Sequence, residues 1–248
     1  MMQAQAAFRP ATAMLLAAGR GKRMRPLTDT CPKPLLKVQG KSLLQWHLEA
    51  LQRGGCRKVA VNTDWLAEQI VHAAPLPGLA MYFSHEGRYF GGALETAGGI
   101  VRALPLLDEV FWVLAADVYT PGFEFNRAAL ERFATSDKLA HLWLVPNPAH
   151  NPGGDFGLQS MPEGPALALN LAKDDPRPRH TFSTIGLYRR ALFEPPWCEI
   201  AAGNPQGLKA PLAPLLRRAM DNQQVSAELY PGPWTDVGTP QRLAELNA

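Results

Sequence analysis

A cluster of cationic side chains follows two glycines near the start of the chain, in the segment MLLAAGRGKRMRPLTDTCPKPLL at residues 14–36. Glycine permits left-handed dihedrals and the close approach of an anion, so the backbone N–H groups of such a turn can converge on one point. The cations that surround this turn include Lys22, Arg23, Arg25 and Lys33. A glycine-rich turn with this much positive charge predicts a phosphate-binding loop.

The spacing of the glycines excludes two familiar phosphate loops. A Walker loop would need a glycine five residues before Gly21, where Leu16 stands. The dinucleotide-binding fingerprint would need a glycine three residues after Gly21, where Met24 stands. The loop is therefore predicted to be a different kind of phosphate binder, and the alternative is a basic hairpin on the surface.

The elements around this loop predict a mostly parallel sheet between helices. Short apolar runs with the composition of strands buried on both faces lie at residues 13–17, 58–62, 79–84, 111–116 and 141–145. One helical pattern between them begins at a capping Ser42 and ends at Gly54 and Gly55. A second helix is predicted to begin at a capping Asp64, and a third to span residues 96–104. This alternation is typical of a Rossmann-like, doubly wound α/β fold.

The sequence changes character after about residue 146. Proline and glycine become dense, and short strands follow one another without helices, which predicts a small antiparallel lobe. The chain then returns to helix and strand, and Thr239 before Pro240 predicts a closing helix. The predicted organisation is a single domain over residues 1–248, with a core at about 12–146 and 210–248 and the lobe at about 147–209.

Composition excludes several other classes of protein. The net charge is +3 over 248 residues, and neither a run of like charges nor a basic helix with interleaved aromatic residues indicates a nucleic-acid surface. No apolar stretch approaches the roughly 18 residues of a membrane span, and residues 1–12 lack the apolar centre of a signal peptide. The three cysteines are far apart and fit reduced thiols. These features predict a cytoplasmic protein with no membrane or nucleic-acid partner.

The first loop closely resembles the signature of the sugar-1-phosphate nucleotidyltransferases. The resemblance rests on LAAGRGKRMRPLT and CPKPLL, and it extends to ALETAGGI at residues 93–100, LAADVY with Asp117, and WTDVGTP with Asp236. It implies that the loop wraps a nucleoside triphosphate and that Arg23 and Lys33 act as catalytic residues on its phosphates. The residues that it assigns to nucleotide binding are Leu16, Ala17, Ala18, Gly19, Gly21, Arg23, Lys33, Glu86, Glu95, Thr96 and Gly98.

The reaction implied by this resemblance is attack of a sugar 1-phosphate oxygen on the α-phosphorus of the triphosphate, with pyrophosphate leaving. The attacking oxygen is already an anion, so the difficulty is the mutual repulsion of two polyanions. Mg²⁺ can relieve it while bound to one or two carboxylates, phosphate oxygens and water. Asp117, at the end of an apolar strand, and Asp236 are the expected ligands. The alternative for each is an aspartate that only holds backbone amides.

The sugar is expected to lie over the small lobe. The family pattern implies contacts from Gly154, Asp155, Gly157, Lys173, Ser183 and Thr184. A Glu-Lys-Pro motif that several relatives use for the sugar is replaced here by Ala172, Lys173 and Asp174. The segments ETAGG, VNTDWLAEQI, GGDFGL and WTDVGTP are most similar to a single-domain subgroup that joins UTP to N-acetylmuramate 1-phosphate. The lactyl carboxylate of N-acetylmuramate would need a cationic partner. The candidates are Lys173, Arg177, Arg179, His180 and Lys209.

Several alternatives stay open at this point. Mannose-1-phosphate guanylyltransferases share several of the motifs, and a non-catalytic nucleotide-sugar sensor could have the same fold. A cytidylyltransferase acting on an alcohol phosphate is a further possibility, and so is a glycosyltransferase, although the complete GRGKRMRPLT and PKP segments disfavour the glycosyltransferase. No hexapeptide repeat follows the catalytic region, so an acyltransferase half is not expected. We expect a monomer or a small homo-oligomer.

Overall fold

The computed structural model describes residues 11–248. Its strands are β1 (Thr12–Leu16), β2 (Lys37–Val38), β3 (Lys41–Ser42), β4 (Lys58–Thr63), β5 (Ala80–His85), β6 (Val110–Ala115), β7 (Val118–Tyr119), β8 (Ala140–Val145), β9 (Phe156–Gln159), β10 (Ala166–Leu169), β11 (Arg179–Arg189), β12 (Val225–Leu229) and β13 (Thr235–Asp236). Its helices are α1 (Leu27–Thr30), α2 (Leu43–Arg53), α3 (Ala67–Ala73), α4 (Glu86–Phe90), α5 (Glu95–Ala103), α6 (Arg127–Thr135), α7 (Leu212–Asp221) and α8 (Pro240–Glu245). Short 3₁₀ turns lie at Lys22–Met24, Lys33–Leu35, Leu104–Leu106 and Arg190–Phe193.

One mixed sheet organises the chain, in the order β5-β4-β1-β6-β11-β8-β12-β10-β9. The pairings among β5, β4, β1 and β6 are all parallel, which confirms the Rossmann-like prediction for this half. Apolar residues on both sides of the sheet form two cores. One contains Met14 and Ile100 of α5, and the other contains Leu15 and Leu48 of α2. Burial on both faces explains why these strands are continuously apolar.

The strands expected in the small antiparallel lobe belong to the same sheet as the core. β11 begins beside β9, where Arg179 pairs with Gly157, and it ends antiparallel between β6 and β8, where Gly186 pairs with Val113 and Leu142. The lobe therefore extends the edge of the main sheet through β9 and β10 and has no independent sheet. The sequence did not reveal this because β11 is one strand that serves both regions.

Two of the three helix caps predicted from the sequence are present in the structure. The side chain of Ser42 accepts a hydrogen bond from Gln45 N at 3.1 Å, and that of Thr239 accepts one from Arg242 N at 3.3 Å. Both predicted caps are confirmed. The prediction that Asp64 caps the next helix is wrong, because α3 begins only at Ala67. No helix in the part of the chain that the structure describes is long and apolar enough to cross a membrane.

Two buried histidines predict a fall in stability at acid pH. His47 and His141 are each buried, and burial lowers the pKa of each imidazole from 6.5 to about 4. As the pH falls below about 6.5, the unfolded chain takes up protons that the folded protein does not bind. We expect the free energy of unfolding to fall between pH 7 and 4, by up to roughly 3 kcal/mol for each histidine.

Urea unfolding at pH 7, 6 and 5 measures this loss. His47→Gln and His141→Gln should each flatten the pH dependence, while His72→Gln, at an exposed position, should leave it unchanged. If the free energy of unfolding changed with pH to the same extent in the unaltered protein and in all three variants, the assignment of this loss to His47 and His141 would be wrong.

Candidate active site

A cleft of about 240 Å³ lies at the carboxyl ends of the central parallel strands. The chain runs from β1 to β4 and β5 on one side and returns to β6 on the other, so β1 and β6 form a topological switch point. Open α/β sheets bind ligands at such points. The lining residues are Leu16, Ala17, Ala18, Gly19, Lys33, Pro34, Asn62, Glu86, Ala93, Glu95, Thr96, Ala115 and Asp117.

The nucleotide residues expected from the resemblance line this cleft except for Gly21, Arg23 and Gly98. Gly21 has φ +65°, and a Cβ there would lie 3.0 Å from Thr28 Cγ2, so it forms the turn of the loop. A Cβ on Gly98 would lie 2.5 Å from Leu208 O. The lack of a side chain at Gly98 therefore allows α5 to pack closely against the backbone at Leu208.

The glycine-rich loop offers unpaired backbone donors. Within residues 11–248, no acceptor for the N–H groups of Gly19, Arg20 or Gly21 is found. Arg20 stabilises the loop through contacts outside the cleft. Its guanidinium donates to Thr28 O at 2.8 Å and stacks 3.7 Å above the ring of Trp65. Open N–H groups on a fixed loop are the donors that an anion needs.

The space above Gly19 provides a test of this loop. A Cβ on Gly19 would meet nothing within 4 Å, so Gly19→Ala should leave the unfolding temperature unchanged while the added methyl intrudes on the triphosphate. We expect the KM for the triphosphate to rise about tenfold or more. Gly153→Ala, where a Cβ also meets nothing, is the matched control. An unchanged KM would show that the phosphates lie elsewhere.

Arg23 and Lys22 are the loop cations that form no ion pair within the described residues. Arg25 pairs with Asp29 at 3.0 Å, whereas exposed Arg23 forms no ion pair with any residue of the described chain. Arg23→Ala should lower kcat/KM for the triphosphate about thirtyfold, since one charged donor to the phosphates is lost. Arg25→Ala is the control, and steady-state kinetics with varied triphosphate decide between them. A change of less than about threefold for Arg23→Ala would make it an ordinary surface residue.

Lys33 and two aspartates meet on the floor of the cleft. The Lys33 Nζ atom lies 2.5 Å from Asp117 Oδ2 and 4.0 Å from Asp236 Oδ1. Lys33 is only 7% exposed, because Pro32 and Pro34 hold it in a short 3₁₀ turn whose start is buried. One cation thus stands between two carboxylates that come from distant parts of the chain.

Backbone pairing brings the two aspartates together. β13 pairs with β7 in antiparallel fashion, so that Asp236 is opposite Val118, and Val237 N donates to Asp117 O at 3.0 Å. The buried ring of His47 supports the same segment through Nε2, 2.8 Å from Val118 O.

Asp236 has further partners that the sequence did not predict. Arg242 donates from one terminal nitrogen to Asp236 Oδ2 at 2.8 Å and to its backbone oxygen at 2.7 Å. The Nε2 atom of His150 lies 3.5 Å from the same carboxylate. The carboxylate is therefore fixed on one side and open toward Lys33 on the other.

This pair of carboxylates fits a hard divalent cation that takes part of its coordination from substrate. The Lys33 nitrogen lies 2.5 Å from one carboxylate and 4.0 Å from the other, so the two carboxylates face a common space. The described residues contain no cluster of three or more His, Cys, Asp or Glu able to hold a metal. Mg²⁺ suits such a sparse donor set, because it keeps several waters and binds through one or two carboxylates plus phosphate oxygens.

Asn62 is a cleft residue that sequence reasoning missed. Its Oδ1 atom accepts from Ala17 N at 2.7 Å, and its Nδ2 donates to Glu86 Oε1 at 2.8 Å. Glu86 also accepts from Leu94 N at 2.7 Å, and burial raises the pKa of its carboxyl. Both carboxyl oxygens of Glu86 are thus occupied by protein, and the pair aligns the ends of β1 and β4 with the start of α5.

The residues expected to contact sugar are mostly engaged within the lobe. A Cβ on Gly154 would lie 2.8 Å from Arg179 C, and one on Gly157 would lie 2.6 Å from Leu171 Cδ1. Asp155 accepts from Phe182 N at 2.8 Å, and Ser183 donates to Trp143 O at 2.6 Å. Lys173 is exposed. Thr184 differs, because its hydroxyl is buried and has no hydrogen-bond partner among residues 11–248.

Comparison with known proteins identifies the family. A model of the family described as nucleotidyl transferase matches residues 12–248. The chain belongs to this family. It is 43% identical to the N-acetylmuramate alpha-1-phosphate uridylyltransferase of Neisseria meningitidis serogroup B, over 95% of this chain and 96% of the relative. It is 31% identical to the protein of the same name from Caulobacter vibrioides, over 95% of this chain and 98% of the relative.

A solved structure agrees with the fold of this nucleotidyltransferase. The crystal structure of a putative glucose-1-phosphate thymidylyltransferase from Bacillus anthracis, in complex with a sucrose, superposes with a TM-score of 0.75 at 16% identity. The match covers 96% of this chain and 94% of that one. The family model and the two relatives show that the protein is an enzyme of the sugar-1-phosphate nucleotidyltransferases, and the resemblance inferred from its loop is confirmed.

Proposed function

We propose that the protein joins UTP and N-acetylmuramate 1-phosphate to give UDP-N-acetylmuramate and pyrophosphate. The main support for nucleotidyl transfer is the proximity of Lys33, Asp117 and Asp236 beneath a loop whose N–H groups are free to donate. The substrates are proposed from the two full-length relatives, whose names specify uridylate and N-acetylmuramate.

Different residues of the cleft bind different phosphates and so reduce the repulsion between the two polyanionic substrates. The N–H groups of Gly19 and Gly21, with Arg23 at the rim, bind the phosphates that leave as pyrophosphate. Lys33 neutralises the phosphate that reacts. A sugar-phosphate oxygen forms the new bond to the α-phosphorus as the bond from that phosphorus to the bridging oxygen of pyrophosphate breaks. No side chain needs to remove a proton, because the attacking oxygen is already anionic.

The two aspartates supply the complementary site for Mg²⁺. Asp117 and Asp236 would hold the ion, which when bound would lower the charge of the reacting phosphates. Arg242 keeps Asp236 in place, so that both carboxylates face the same position before the substrates arrive. A fixed arrangement of this kind avoids reorganisation during the reaction.

Two of the five candidate partners for the lactyl carboxylate already bind groups within the lobe. Arg177 is committed to Asp175 through Nη2 at 2.7 Å, and Arg179 donates to the backbone oxygen of Ala172. Lys173 and Lys209 are exposed and have no ion pair within the described residues. These two lysines, together with His180, whose ring forms no hydrogen bond or ion pair within the described residues, are therefore the candidates that could reach a carboxylate without breaking a lobe contact.

A matrix of four nucleoside triphosphates against sugar 1-phosphates tests the proposal, with pyrophosphate release as the readout. We expect UTP with N-acetylmuramate 1-phosphate to have the highest kcat/KM, about tenfold above UTP with N-acetylglucosamine 1-phosphate, since the lactyl carboxylate adds a charged contact. A preference for GTP with mannose 1-phosphate would replace the substrate assignment. Absence of pyrophosphate release from every pair would overturn the transfer reaction itself.

A further inference from the structure

Lys33 and Asp117 are bound to each other in the structure, although the proposed reaction needs them apart. Lys33 Nζ lies 2.5 Å from Asp117 Oδ2. As proposed above, the transfer reaction uses Asp117 to hold a metal ion and Lys33 to neutralise the reacting phosphate. The side chain of Lys33 is 9% exposed and that of Asp117 is 38% exposed, so the carboxylate faces the cleft and the ammonium is the more deeply buried of the two. The partner of Asp117 must therefore be exchanged before the reaction.

The charges around this point are balanced within the protein. Lys33 pairs with Asp117, and Arg242 pairs with Asp236 at 2.8 Å. The Lys33 ammonium also lies 4.0 Å from Asp236 Oδ1, so two carboxylates face two cations. The affinity of an oxygen site for a divalent cation increases with the negative charge of its ligands. We therefore expect the carboxylates to attract a free divalent cation only weakly while Lys33 lies between them.

The two cations differ in how firmly they are held. Arg242 donates from one terminal nitrogen to Asp236 Oδ2 and to the backbone oxygen of Asp236. The Lys33 ammonium has a single hydrogen-bond partner within residues 11–248, which is Asp117 Oδ2, and it stands at the end of a flexible four-carbon stem. Lys33 is therefore the cation that can leave its carboxylate without a change in the backbone.

The phosphate-binding loop lies within reach of the same ammonium. A Cβ on Gly21 would be 3.3 Å from Lys33 Cβ, so the loop packs directly on the start of the lysine side chain. Lys33, Gly19 and Asp117 line one cleft. Rotation of the side chain can therefore carry the ammonium from Asp117 to a phosphate bound at the loop. A triphosphate carries several negative charges, and it competes for the ammonium against a single carboxylate.

We propose that Lys33 is an internal counter-ion of Asp117 that a triphosphate withdraws, so that Asp117 and Asp236 accept a divalent cation only when the nucleotide is bound. The inference rests on the proposed function for the identity of the nucleotide. Movement of Lys33 from the carboxylate to the phosphate opens the metal site at the same time. Nucleotide and metal then each raise the affinity of the enzyme for the other by the same factor.

Manganese binding in the absence of nucleotide tests the exchange directly. Mn²⁺ is a paramagnetic substitute for Mg²⁺, and electron paramagnetic resonance measures the free ion during a titration. Lys33→Gln should lower the Kd for Mn²⁺ about tenfold or more, because the carboxylates lose the cation between them. Lys22→Gln is the matched control, since it removes one positive charge from the nearby loop at an exposed residue that has no ion pair in the described chain. It should change the Kd by less than about twofold.

The effect of nucleotide on this affinity supplies a second measurement. The probe is a UTP analogue with a methylene group in place of the oxygen between the α- and β-phosphorus atoms, which prevents transfer. Saturation with this analogue should lower the Kd for Mn²⁺ about a hundredfold in the unaltered protein and about tenfold or less in Lys33→Gln. The metal–analogue complex in solution is the same in both titrations, so the difference between the proteins reports the side chain at position 33.

Thermal unfolding of the unaltered protein gives a test that needs no substitution of Lys33. Mg²⁺ alone at about 10 mM should change the unfolding temperature by less than about 1 °C, whereas Mg²⁺ with the methylene analogue should raise it by about 5 °C or more, because only a ligand that binds the folded state shifts the transition. The analogue in excess chelator is the control and should raise it less. A rise with Mg²⁺ alone as large as that with both ligands would show that the metal site is already open, and it would overturn the exchange.

The outcomes separate this inference from the proposed function. Equal Mn²⁺ affinity in the unaltered protein and in Lys33→Gln, or an equal gain in Lys22→Gln, would overturn the exchange while the transfer reaction stands. Tighter Mn²⁺ binding by Lys33→Gln, together with no pyrophosphate release from any substrate pair, would overturn the proposed function and leave the exchange supported.

Discussion

Replacing Asp117 with asparagine should lower kcat by about a thousandfold with a much smaller effect on the affinity for the triphosphate. The carboxylate lies where a cation already stands, 2.5 Å from Lys33 Nζ, and it would hold the metal ion on the reacting phosphate, where charge changes most in the transition state. Asp236→Asn should act in the same direction. Single-turnover rates and triphosphate binding, measured separately, check the expected split.

The control for this experiment is Asp137→Asn, at an aspartate whose side chain is 77% exposed. It should keep full activity. Titration with Mg²⁺ should also show that Asp117→Asn needs a higher metal concentration for the same nucleotide binding. Full turnover of the unaltered enzyme in excess chelator, or an Asp117→Asn variant within threefold of normal, would show that the pair is structural.

Lys33→Gln should lower kcat/KM for the triphosphate by about a thousandfold, the other large effect that we expect. Lys33 is buried on the cleft floor, where its charge is poorly screened by water, so its loss removes a strong interaction with the reacting phosphate. The substitution also leaves Asp117 and Asp236 close together without the cation between them, which adds to the repulsion of the incoming anions.

Lys37→Gln is the matched control, because this lysine is four positions later and exposed. Its activity should be unchanged. Far-ultraviolet circular dichroism and the unfolding temperature establish that Lys33→Gln remains folded. An activity loss equal to that of Lys37→Gln would contradict a role for Lys33 at the reacting phosphate.

The parallel half of the sheet was predictable because its strands are buried on both faces. The apolar runs expected at residues 58–62 and 111–116 correspond to β4 and β6, since double burial leaves a continuous apolar signature. The central position of β11 was not predictable. Its surroundings in the sequence are rich in proline and glycine, and nothing local specifies that its end inserts between two strands made earlier.

The parts of the candidate site that lie within one short segment could be predicted, because that segment contains both the glycine turn and the charged side chains. The loop with Gly19 and the Lys33 turn are local features, so residue types and spacing identified them. Asn62 acts through contacts with Ala17 and Glu86, which are 45 and 24 residues away in the chain, and Arg242 acts through Asp236, six residues before it. No pattern of residue types marks these contacts.

The position of β11 also affects how the protein folds during synthesis. Its end covers the facing edges of β6 and β8, and both of those strands emerge from the ribosome well before it. Unpaired apolar strand edges are prone to associate with other chains, and pairings between distant segments form slowly. The nascent polypeptide therefore carries an open gap between β6 and β8 until about Arg189 has emerged, and during this interval of translation the two strand edges are exposed to association with other chains.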